Sequence, residues 1–152
     1  MPKNLKEEII FTIMMVLVMV YFMIFYNISL ETGGAHNWTF LASLKELAIM
    51  GPIAFILDFF IVGKIAKKKT FSIINPERDN PFFIVLGLSC ISILFMCPMM
   101  SFVATLLFKN AGSEIIPVWM QTTVLNFPMA FFLQLCFAGP IVRRLFGLII
   151  KE

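Results

Sequence analysis

Gly51 to Lys69 reads GPIAFILDFFIVGKIAKKK, an apolar run that holds one carboxylate, Asp58, and closes on a lysine cluster. The pattern returns at Phe127 to Leu145 as FPMAFFLQLCFAGPIVRRL. With Pro52 set against Pro128, Ala54 meets Ala130, Phe55 meets Phe131, Leu57 meets Leu133, Gly63 meets Gly139 and Ile65 meets Ile141. Lys67 and Lys68 then face Arg143 and Arg144, and Asp58 falls opposite Gln134. Two copies of one apolar element, each ending in basic residues, set the architecture.

The whole chain is 60% hydrophobic and 14% charged over 152 residues, far more apolar than a soluble domain, which is about half apolar and a quarter charged. This composition reads as an integral membrane protein. The formal net charge of +3 is therefore read through its distribution along the chain, as topology, and not as a nucleic-acid footprint. Cys90, Cys97 and Cys136 all lie in apolar runs with no partner spacing for a disulfide framework or a zinc site, so free buried thiols are expected. Ile9 to Leu30 is long enough to span and lacks a small-residue cleavage site, so it reads as a retained helix and not as a signal peptide.

Four spans follow, at about 9–30, 44–63, 82–108 and 118–142, since ~20 apolar residues at 1.5 Å each cross a hydrocarbon core of roughly 30 Å. Asn4 and Glu7 form a capping box for the first, and Ser43 with Glu46 repeats it for the second. Glu31 to Ala42, with Gly33-Gly34, His36 and Trp38, reads as a loop. Lys64 to Asn80 is the long charged segment, and Asn80-Pro81 is a cap followed by a first-turn proline. Lys109 to Ile116 reads as a short loop ahead of Pro117, which lies in the first turn of the fourth helix, and Arg143 to Glu152 as an amphipathic stretch in the interface. Bends are expected at Pro52 and Pro98. Leu17 to Val20 also lies over Leu94 to Cys97 with a one-residue slip, so the expected fold is all-α, with four transmembrane helices as two tandem pseudo-equivalent hairpins, 1–75 and 76–152. Each unit spans twice, which makes the repeats parallel in topology and not inverted.

Placing both termini and the central loop on one side gathers Lys3, Lys6, Lys64, Lys67, Lys68, Lys69, Arg78, Arg143, Arg144 and Lys151 there, with only Lys45 and Lys109 opposite. The positive-inside rule makes that side cytoplasmic, in a bacterial inner membrane, and Trp38 and Trp119 are expected near the outer interface.

Several segments together resemble a family of small bacterial membrane proteins known only as a domain of unknown function, often in tandem. They are Met19-Val20-Tyr21 with Tyr26-Asn27, Gly51 to Phe55, Met96-Cys97-Pro98, Gln121-Thr122-Thr123 with Asn126-Phe127-Pro128, and Ala138-Gly139-Pro140 with Arg143. The resemblance covers nearly the whole chain and implies no activity. A looser likeness is to bacterial transmembrane-pair efflux proteins, whose signature puts a carboxylate in the first helix; Ile9 to Leu30 has none.

Asp58 stands out chemically. A carboxylate within a span costs on the order of 3 kcal/mol on insertion scales, so it faces a protein interior or a hydrated cavity and often serves an ion or substrate path. Set against this, Lys64 is only about 9 Å further along the axis, near enough for interfacial hydration or pairing. Gln134 should share the depth of Asp58 and could bond to it as interhelical glue. Asn126, with Gln121, Thr122 and Thr123, forms a second polar group beside Pro128, which frees a carbonyl. Asp58, Gln134 and Asn126 are the candidate substrate- or ion-binding residues.

Phe55, Phe59 and Phe60 flank Asp58 and could wall an anionic site for lipophilic cations, although the chain carries 18 phenylalanines that mostly serve lipid contact. Met15, Met19 and Met23 at i+4 spacing, with Met96, Cys97, Met99 and Met100, have the softness for Cu(I), but adaptable packing is the ordinary use of methionine in apolar helices. His36 has no second ligand at metal spacing. Without a nucleophile–base pair, phosphate loop or paired carboxylates, neither catalysis nor a cofactor is expected. The expected partners are the bilayer, an unidentified cation or small molecule, and further copies of the chain, because four spans are few to enclose a path alone. The competing expectation is a non-transporting accessory or assembly protein whose polar residues serve helix packing.

Overall fold

The computed structural model describes residues 4–108 and 112–150. These are helical apart from short connections: α1 (Leu5–Glu31), α2 (Asn37–Leu57), a π-turn at Asp58–Val62, α3 (Gly63–Ile73), α4 (Pro81–Phe108), a 3₁₀ turn at Gly112–Glu114, α5 (Ile115–Phe132), a second π-turn at Leu133–Ala138, and α6 (Gly139–Ile150). Four helical stretches, Leu5–Glu31, Asn37–Ile73, Pro81–Leu107 and Gly112–Ile150, are long and apolar enough to cross a membrane.

Local chemistry explains the boundaries. Asn4 is the extended N-cap of α1, as expected, although its side chain makes no cap bond. Asn80 caps α4 through Oδ1, which accepts from the Phe82 amide at 3.1 Å, and Pro81 follows where its missing N–H costs nothing. Between α3 and α4, Asn75 organises a compact turn: its Oδ1 accepts from the Glu77 amide at 3.1 Å while its own amide donates to Asp79 Oδ2 at 2.9 Å.

Three expectations are corrected. The second helix begins at Asn37 and not at Ser43, because the Thr39 hydroxyl accepts from the His36 amide at 3.2 Å and so supplies the reciprocal half of a cap one segment earlier. Ser43 is fully buried within the helix and donates back to the Thr39 carbonyl at 2.7 Å, so it is no cap, and Trp38 is helical. The same helix does not stop at Gly63 but runs on as α3 to Ile73, which puts Lys64, Lys67, Lys68 and Lys69 on helical backbone. Nothing in the run from Gly63 to Ile73 breaks a helix: the lysines are good helix formers, and the glycine comes first. The fourth stretch likewise continues past Val142 to Ile150, so Arg143 and Arg144 are helical. Pro117 does lie in the first turn of α5; the start of the expected loop, Lys109 to Ala111, lies outside the described residues.

The chain forms two compact units, one of Met1–Ile56 with Leu133–Glu152 and the other of Leu57–Phe132. In the first, Thr12, Val16, Val20, Ile24 and Ile28 make a buried i+4 stripe on α1. The α1 helix packs on the second π-turn and on α6, where Phe11 and Phe146 meet edge to face at 5.3 Å. Near the connection to α2, Phe25 lies 4.7 Å from Phe40, ring to ring. In the second unit, α4 packs on the first π-turn, α3 and α5. Gly87 lets α3 close in, since a Cβ there would sit 2.9 Å from Ile74 Cδ1 and 3.1 Å from Thr70 Cγ2. Near the connection to α5, Phe102 and Trp119 meet edge to face at 5.6 Å.

Candidate functional site

Both π-turns arise in the same sequence order: a proline inside the helix, the wide turn, then glycine. Pro52 precedes Asp58–Val62 and Gly63; Pro128 precedes Leu133–Ala138 and Gly139. A π-turn pairs each amide with the carbonyl five residues back and so admits one extra residue into the helix. The Gly63 amide donates to the Asp58 carbonyl in this way. The wide turn brings that carbonyl so close that a Cβ on Gly63 would stand 2.8 Å from it, and a Cβ on Gly139 would stand 2.5 Å from the carbonyl of Gln134. Equivalent glycines thus face equivalent carbonyls, and those carbonyls belong to the two residues that differ between repeats, Asp58 and Gln134.

Asp58 is half-buried at the first position of its turn. Because the helix continues to Ile73, Asp58 is 15 residues from its end, about 22 Å along the axis, within a 37-residue helix whose last part carries Lys64, Lys67, Lys68 and Lys69. The flanking aromatics divide: Phe55 and Phe59 are half-buried, whereas Phe60 is 55% exposed, stands edge to face with Phe59 at 5.2 Å and turns its surface outward. Gln134 is also half-buried, at the second position of its turn, and the side chain of Arg143 folds back over Gly139, its Nη2 2.8 Å from where a Cβ would be.

Asn126 belongs with other residues than Asp58 and Gln134. It is 5% exposed on α5, and its Nδ2 donates to the Ser101 hydroxyl of α4 at 3.5 Å. The Cys97 thiol donates to the Thr123 carbonyl at 3.8 Å, and the Thr122 and Thr123 hydroxyls donate back to Val118 and Trp119 at 2.7 and 2.8 Å. The indole N–H of Trp119 donates to the Pro98 carbonyl at 2.8 Å and ties α5 to α4. Asn126, Ser101, Thr105 and Thr122 are all buried, so α4 and α5 meet along a polar seam.

Sequence reasoning missed two features. Lys69 carries its ammonium to 5.0 Å above the Phe95 ring, a cation–π contact within the apolar stretch of α4. The π-turns are the other, and the recurring proline-to-glycine spacing was their signal. Among the described residues no three His, Cys, Asp or Glu side chains come together as metal ligands.

A model of the family described as "Domain of unknown function (DUF2798)" matches the chain twice in tandem, at residues 4–74 and 82–150. The chain belongs to this family. It is similar to the uncharacterized protein YybC of Bacillus subtilis (strain 168), with 30% identity across 99% of this chain and 96% of that protein. No solved structure matches it.

Proposed function

We propose that this family member is a multi-pass protein of the bacterial inner membrane, with both termini cytoplasmic, that moves a cation or small cationic solute using Asp58. The observation that carries this reading is the half-buried carboxylate on a π-turn within a 37-residue helix long and apolar enough in part to cross a membrane. Ionisable groups inside a span are costly and mark ion and substrate paths, and π-turns recur at functional sites because they loosen helix geometry locally. The aspartate would neutralise the cargo, and the half-buried rings of Phe55 and Phe59 suit a cation with apolar substituents. No role in catalysis is proposed. Uptake and efflux across a panel of cations, biocides and metabolites, in cells expressing wild type or Asp58→Asn at equal levels, test the reading. Loss of movement of one solute in the variant supports it, and unchanged profiles across the panel sink it.

A second reading, a non-transporting accessory or assembly protein, is favoured by one observation: Trp119, Cys97 and Asn126 spend polar groups on contacts between α4 and α5. It expects crosslinking to capture one defined membrane partner and solute profiles to be indifferent to Asp58.

A further inference from the structure

The helix α3 reads GKIAKKKTFSI, with four lysines and no carboxylate. Its buried residues, Ala66 and Thr70, form the stripe that packs on α4, where Gly87 abuts Thr70. Lys69 turns along this side and sets its ammonium over the Phe95 ring. Lys64, Lys67 and Lys68, at i, i+3 and i+4, share a face away from the stripe and are exposed. A simple solvated helix end would carry polar side chains past its basic ones. Here the large side chains exposed on either side of the lysines are apolar: Phe60 and Ile61 come before them, and Phe71 and Ile73, the latter 77% exposed, come after. On α4, Phe83 and Phe82, four and five residues before Gly87, are exposed as well.

A basic face bracketed by apolar surface restricts its occupant. Water would satisfy the ammoniums but would also wet Phe71, Ile73, Phe82 and Phe83. A small free anion would neutralise charge and leave that apolar surface bare. An anionic phospholipid meets both demands, since its phosphate takes the ammoniums, which reach it by snorkelling along their stems, while its glycerol and acyl parts cover the rings and branched chains. The other unit carries the pattern by itself: α6 has two arginines and no carboxylate, with exposed Ile141 before them and exposed Leu145, Leu148 and Ile149 after. It is the weaker copy, with half the charge and with Arg143 folded over Gly139. We propose that the lysine face of α3 is a docking surface for anionic phospholipid headgroups. The inference rests on the reading of the chain as membrane-spanning and not on Asp58 as a transport group.

The test is a thermal-shift series on the full-length protein in nanodiscs of phosphatidylcholine, with phosphatidylglycerol replacing it in increasing fractions at fixed ionic strength. Phosphatidylglycerol should raise Tm saturably, by about 4 °C at ten times the half-saturating fraction. Soluble glycerol phosphate, added to discs of phosphatidylcholine alone, should do nothing. The triple variant Lys64→Gln, Lys67→Gln, Lys68→Gln should weaken the apparent affinity about a hundredfold and so lose most of the rise, keeping at most the smaller step that α6 contributes. Equal Tm in the two lipids, an equal response to glycerol phosphate, or a full response in the triple variant each overturns the proposal. Should the variant fail to fold, the wild-type comparison of phosphatidylglycerol with glycerol phosphate decides alone. Failure of the chain to enter nanodiscs would sink the membrane reading itself, whereas an indifferent Tm within them sinks only the docking surface.

Discussion

The turn at Asp58–Val62 and the turn at Leu133–Ala138 are one device used twice. Each follows a proline, each closes on a glycine that faces a backbone carbonyl at under 3 Å from its would-be Cβ, and each packs against the first helix of the other repeat, α4 for the former and α1 for the latter. They differ in what they carry. The first presents a carboxylate and leads into a helix with lysines at 64, 67, 68 and 69; the second presents a neutral amide and leads into one with Arg143 and Arg144. Further along, the contact partners diverge too. Phe146 meets Phe11, whereas Thr70 and Gly87, each 76 positions away from one of them, make a close approach without rings. The backbone device is thus kept where its side-chain chemistry is not, and only one of the two turns carries the carboxylate on which the proposed function rests.

That contrast can be broken by measuring unfolding in lipid or detergent. The largest effect is expected at the turn glycines: Gly139→Ala should cost about 3 kcal/mol and Gly63→Ala about 2, because the nearest obstructing atom at each is a backbone carbonyl oxygen that cannot swing aside, and at Gly139 the Arg143 side chain must move as well. Equal, negligible costs would mean that the wide turns are not maintained. Next, Phe146→Leu should cost about 1 kcal/mol through the lost edge-to-face contact with Phe11, and Thr70→Val, which swaps a buried unpartnered hydroxyl for a methyl, should cost nothing or stabilise slightly. A comparable loss at both would erase the contrast between the two contacts. The smallest effect is at Lys69→Gln, about 0.7 kcal/mol from the contact with Phe95; no change there would leave the lysine serving topology alone.

Much of the fold was legible because length and hydropathy identify spans without reference to packing. Asn80-Pro81 announced the start of α4 by a cap whose bond is local, and the repeat was visible from paired Pro, Gly and basic positions. Helix ends were read too early or too late where polar residues looked like loops. Lys64 to Lys69 continue a helix because lysine favours helical backbone even as its charge favours water, and Thr39 rather than Ser43 caps α2 because the choice depends on which amide is left bare. Asn126 was singled out beside Pro128, but its partner Ser101 is 25 residues away in sequence and could not be read from composition. The π-turns were written in the spacing from proline to glycine, yet only geometry shows that the glycines face carbonyls.

The central claim, that chemistry resides in the Asp58 turn and scaffold in both, is tested most directly by solute flux in proteoliposomes reconstituted with wild type, Asp58→Asn or Asp58→Glu, using the solute that gives the strongest cellular signal. The account predicts that flux falls to the level of empty liposomes in Asp58→Asn and is at least partly retained in Asp58→Glu, which keeps the charge on the same turn. Flux in Asp58→Asn equal to wild type would contradict it.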